Sequence, residues 1–85
     1  MSARASGSPR VTLYSRPGCH LCDDARVIIE RVCADLGEEY VEISIDDDPQ
    51  LQERFGEEIP VTFVDGRQHD FWRVDEVRLR AALSG

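Results

Sequence analysis

Val11-Thr12-Leu13-Tyr14-Ser15-Arg16-Pro17-Gly18-Cys19-His20-Leu21-Cys22 carries two thiols three positions apart, where an apolar strand gives way to an amphipathic helix. Val11 to Tyr14 alternate in hydrophobicity and suit a pleated surface, so they predict a strand. Ser15 to Gly18 have turn chemistry and predict a loop. From Leu21 onward Ala25, Ile28, Ile29, Val32, Cys33 and Leu36 recur at spacings of three and four, which marks one face of a helix. The cysteine pair is therefore expected at a helix N-terminus, where unpaired backbone N–H groups and the helix dipole favour a negative charge. A thiolate is the negative charge a cysteine can supply, and it is the reactive form of the group. Cys-x-x-Cys beside a β-α-β pattern signals redox chemistry rather than a structural staple. Helix geometry predicts Cys19 accessible, just before the first turn, and Cys22 shielded by loop and helix.

Working outward, Gly37 follows Leu36 and suits a C-cap. Glu39 to Ile45 alternate and predict a second strand, with Val41, Ile43 and Ile45 on one face and Tyr40 or its neighbours turned out. Strand, helix and strand in this order predict a parallel pair with a right-handed crossover. Asp46-Asp47-Asp48-Pro49 reads as a helix start, Asp48 as N-cap and Pro49 in the first turn, ending at Gly56. Glu58 to Val64 and Arg67 to Trp72 flank Asp65-Gly66, a strong hairpin signal. Val74 to Leu83 predicts a closing helix, packed through Val74, Val77, Leu79, Ala82 and Leu83. The element order is β-α-β-α-β-β-α.

The 85 residues suit one domain, expected over residues 10–85, with Met1 to Pro9 as a flexible tail. No stretch resembles a transmembrane span or signal peptide, and the expected location is the cytoplasm. A net charge of −7 argues against nucleic acid and anionic membranes as partners. The acids concentrate between Glu38 and Glu58, whereas Arg10 and Arg16 are expected around the cysteine loop. Cys33 lies eleven residues beyond Cys22, roughly 16 Å of helical rise. A disulfide needs Cα atoms within about 7 Å, so Cys33 cannot pair with either motif cysteine and reads as a core residue. The same distance leaves no complete metal site in one chain, and no metal or bound cofactor is expected.

Tyr14 to Cys22 after the first strand, Ile59-Pro60 before the third and Asp65-Gly66 in the hairpin together resemble the thioredoxin superfamily. Within it, the chain is similar to glutaredoxin-like proteins from Val11 to Leu83. The resemblance implies an α/β fold of the thioredoxin-like, glutaredoxin type: a four-stranded mixed sheet of order 2-1-3-4, third strand antiparallel to the first, flanked by helices. It implies Cys19 as nucleophile, Cys22 as resolving thiol and Pro60 as a cis-proline beside them. Ile59 would then offer its backbone groups to an extended substrate. Dithiol glutaredoxins carry Pro and an aromatic between their cysteines, where this chain has His20 and Leu21. Asp70-Phe71 stands where they have Gly-Gly, and Phe71-Trp72-Arg73-Val74-Asp75 is closer to NrdH-type redoxins. Reducing equivalents are accordingly expected from glutathione or from a thioredoxin-reductase-type partner.

His20 and Arg16 are candidates for tuning the thiol, and Arg16 also for holding a substrate carboxylate. Asp23 and Asp24 read as first-turn acids that complement the helix dipole. Trp72 either packs the last helix or edges a substrate groove. Two function classes follow. One is a monomeric thiol–disulfide oxidoreductase in cell redox homeostasis, acting on disulfides of proteins or low-molecular-weight thiols and regenerated by a reductase. The other is a binding or redox-sensing module that docks a partner, or a metal shared between chains, through Cys19 and Cys22 without efficient turnover.

Overall fold

β1 (Val11–Ser15) is the strand from which the sheet grows, pairing in parallel with β2 (Tyr40–Ser44) and antiparallel with β3 (Val61–Val64). β3 pairs antiparallel with β4 (Arg67–Phe71), giving the order β2-β1-β3-β4 that the family resemblance implies. The computed structural model describes residues 9–84; the expected flexible tail of residues 1–9 thus lies, apart from exposed Pro9, outside the described residues. Asp65 and Gly66 join β3 to β4 with φ of 53° and 83°. Both central residues are left-handed, as a two-residue hairpin turn matched to strand twist requires.

α1 (His20–Leu36) is the crossover between the parallel strands. Its stripe of Ala25, Ile29, Val32 and Cys33 is buried, and it packs with α3 (Glu76–Ser84) over Val11, Leu13 and Val64. Gly37 at φ 69° closes α1, and the Glu38 N–H satisfies the Cys33 carbonyl at 2.9 Å. On the opposite face α2 (Pro49–Phe55) brings Phe55 against Tyr14 and Phe63, with ring centroids 4.9 and 5.8 Å away. Asp48 caps α2 by accepting from the Gln50 N–H at 2.9 Å, with Pro49 in its first turn. Odd and even residues of β1 thus serve two cores, one under α1 and α3 and one under α2.

Four expectations need correction. Ser15 belongs to β1 rather than to the loop, because it completes the parallel ladder opposite Ser44. On β2, Tyr40 packs against the core while Val41 is 39% exposed. β2 is an edge strand, and the face it turns to α1 carries the longer, amphipathic side chains. Val77 is 76% exposed. α3 starts at Glu76 and packs through Leu79 and Leu83 with Ala82 beside them, while Val74 joins the core from the turn before it, so of the expected face only Val77 turns outward. Arg10 stands at the far end of β1 from the cysteines. Its guanidinium bonds both carboxylate oxygens of Asp65 at 2.8 Å, Glu38 at 3.0 Å and the Leu83 carbonyl at 3.0 Å.

Candidate active site

Cys19 is the N-cap of α1, with extended backbone (φ −93°, ψ 113°), and its sulfur accepts the backbone N–H of Cys22 at 3.2 Å. This is the position where Ser or Asp side chains normally satisfy a free helical N–H, and here a thiol does so. Cys19 is partly exposed whereas Cys22 is fully buried, and both are free thiols. Burial pushes the Cys22 thiol up to about 12; its hydrogen bond with Cys19 and the charges of Cys19 and Glu42 add to this, and a backbone hydrogen bond from Arg16 opposes it. The outer sulfur thus meets a donor, while the inner one keeps its proton.

Glu42 is the residue the sequence reading passed over. Ser15 Oγ donates to Glu42 Oε2 at 2.6 Å, and Arg26 on α1 holds both carboxylate oxygens at 2.7 Å. Arg26 also reaches Asp23 at 2.9 Å, so that first-turn acid is engaged with a cation. The Arg26 guanidinium holds the Glu42 carboxyl below its usual range, so a fixed negative charge acts on Cys22 from the sheet. The acids between Glu38 and Glu58 therefore do reach the cysteine loop. Arg16 is likewise committed, its Nε bonding Asp46 Oδ1 at 3.1 Å. His20 opens α1 exposed to solvent, with no ion pair or hydrogen bond of its side chain among the described residues.

The Ile59-Pro60 peptide bond is cis, with Pro60 buried. The Trp72 N–H donates to the carbonyls of Pro60 at 2.8 Å and Glu58 at 3.2 Å, and its indole N–H to that of Glu57 at 3.0 Å. Trp72 adopts φ 65°, a conformation a bulky side chain takes only when its surroundings impose it. Its ring is half-exposed and forms one wall of a small groove of about 140 Å³, whose other walls include Leu21, Ala25, Ile28 and Val74. Leu21 is the residue before Cys22, which places the groove against the cysteine loop. Trp72 thus stands at the edge of a groove beside the cysteine loop. Cys33 is buried in the core under α1, where desolvation pushes its thiol up. Among the described residues no three His, Cys, Asp or Glu side chains are grouped to hold a metal ion, and no helix is long and apolar enough to cross a membrane.

This chain is similar in sequence and fold to several known proteins. An uncharacterized protein of Mycobacterium tuberculosis is 36% identical over 81 residues, covering 89% of this chain and 84% of that protein. The X-ray structure of a structural-genomics target from X. campestris superposes with a TM-score of 0.73 at 37% identity, covering 87% of this chain and 95% of that one. A glutaredoxin from Archaeoglobus fulgidus shares the fold at 17% identity, with a TM-score of 0.62 over 100% of this chain and 97% of its own. The model of the glutaredoxin-like domain (DUF836) matches residues 10–84. With its sheet order, helix-capping cysteine pair and cis-proline in place, the chain belongs to this glutaredoxin-like family of the thioredoxin superfamily.

Proposed function

We propose that this protein is a thiol–disulfide oxidoreductase working through the Cys19/Cys22 dithiol. The observation that carries the reading is the division between the two sulfurs: an accessible Cys19 facing the Cys22 N–H at 3.2 Å, and a buried Cys22 whose thiol is pushed to about 12. The Cys19 thiolate attacks one sulfur of a substrate disulfide, the substrate S–S bond breaks, and the departing thiolate takes a proton from solvent. Cys22 then loses its proton and attacks Cys19 Sγ in the mixed disulfide, forming the Cys19–Cys22 bond and releasing the second substrate thiol. Two electrons pass from the dithiol to the substrate, and the products are two thiols and one intramolecular disulfide. In this reading Ile59 and Pro60 align an extended substrate, and His20 and Arg16 border it. Glutathione or a thioredoxin-reductase-type partner returns the electrons, in a reducing compartment such as the cytoplasm.

Cys19→Ser should abolish mixed-disulfide formation with a small disulfide reagent, whereas Cys22→Ser should trap it, as read by mass spectrometry. Mild oxidation of the wild type should consume the Cys19 and Cys22 thiols and leave Cys33 free. Retention of all three thiols after oxidation, or trapping through Cys22 instead of Cys19, overturns the reading. Reduction assays with glutathione plus glutathione reductase, and with thioredoxin reductase plus NADPH, identify the electron donor.

A further inference from the structure

Phe71 and Trp72 form an exposed aromatic pair, 48% and 51% accessible, packed edge to face with centroids 5.0 Å apart. Large aromatics are seldom left this open unless something covers them. Trp72 is held in a left-handed backbone by three hydrogen bonds to the carbonyls of Glu57, Glu58 and Pro60, so its half-open position is built rather than incidental. The pair is continuous with the proposed reaction centre on two sides. Phe71 pairs with Val61, the residue after Pro60, and Trp72 shares its groove with Leu21 of the cysteine loop. At about 140 Å³ and with mainly apolar walls, the groove has room for one aliphatic side chain.

The surrounding charge narrows the occupant. Asp24 and Arg73 line the groove, the backbone carbonyl of exposed Glu57 holds the Trp72 indole, and exposed Asp75 follows Trp72 by three residues: three acidic residues to one basic. A net charge of −7 extends the same sign over the molecule. We infer that the Phe71–Trp72 surface is the docking site for a basic segment of a disulfide-bearing protein, which seats an aliphatic side chain next to its cystine in the groove. This rests on the oxidoreductase reading and narrows its substrate class. The aliphatic side chain covers Trp72, the basic flanks meet Asp24, Glu57 and Asp75, and the cystine is left at Cys19.

The test uses symmetric peptide disulfides of the types Lys-Leu-Cys-Lys, Glu-Leu-Cys-Glu and Lys-Ser-Cys-Lys, with the disulfide of mercaptoethanol as a small reference. Reduced protein is mixed with each, and every rate is divided by that of dithiothreitol with the same disulfide. The Lys-Leu peptide should react about tenfold faster than either relative, and its advantage over the Glu-Leu peptide should shrink as salt rises. Phe71→Ser should lower the leucine preference to less than about threefold, while Phe71→Leu, which keeps the apolar surface, should retain it. Equal normalised rates for all three peptides in the wild type overturn the inference. Should the protein reduce none of them, nor the reference, the oxidoreductase reading fails and docking is judged separately. Trp72 is the chain's single tryptophan, so its emission reports occupancy. A saturable emission change with the Lys-Leu peptide but not with Lys-Ser upholds the docking site, and no change with either removes it.

Discussion

At the scale of single residues, the two motif sulfurs differ in what surrounds them. Cys22 holds its proton to about 12 in the folded chain against a usual value near 9, chiefly through burial. The unfolded chain therefore releases this proton first, so stability should fall as pH rises from about 9 toward 12. Melting temperatures at pH 7 and pH 10 should drop further in the wild type than in Cys22→Ala. Glu42→Gln removes a negative charge that raises the Cys22 thiol and leaves Arg26 with Asp23 as its one remaining carboxylate, two changes that favour the thiolate. The pH midpoint of mixed-disulfide resolution should move down in this variant; an unchanged midpoint would show that Glu42 does not act on Cys22. The cysteines were legible in the sequence because their chemistry depends on local spacing and a helix start. Glu42 was not: it sits between Val41 and Ile43 in an alternating run that reads as a solvent face. Its partner Arg26 is sixteen residues away on another element, and no periodicity records that pairing.

Elements were legible wherever a local signal ended them. Asp48-Pro49 opens α2, Gly37 ends α1, and Asp65-Gly66 turns the hairpin, each through backbone constraints that act within a few residues. Asp48→Ala leaves the Gln50 N–H without its acceptor and should cost about 1 kcal/mol, measured by urea unfolding. The faces of β2 and α3 were harder to read, because which side of an amphipathic element is buried depends on what packs there. Val41 and Val77 fit an apolar pattern yet face outward, since β2 is an edge strand and α3 meets α1 through Leu79 and Leu83. Trp72 escaped assignment for a related reason. Its position follows from a left-handed backbone and from carbonyls on residues 57 to 60, which the sequence around it does not display.

Across the whole molecule, a small domain depends on few buried side chains, so core substitutions weigh heavily. Leu79 is fully buried among the α1, α3 and sheet residues, and Leu79→Ala should cost about 2–5 kcal/mol. Total stability of such domains is about 5–15 kcal/mol, so this variant should show a much lower urea midpoint. Val77→Ala, two residues away but exposed, should change stability by less than about 0.5 kcal/mol. The Arg10 clamp has a different kind of consequence. By reaching the Leu83 carbonyl at 3.0 Å, it holds the start of β1 and the end of α3 within one side chain of each other, at the end of β1 opposite the thiols. A short peptide linker could therefore close the folded segment into a ring, or a reporter domain could be fused at either side, without shadowing Cys19.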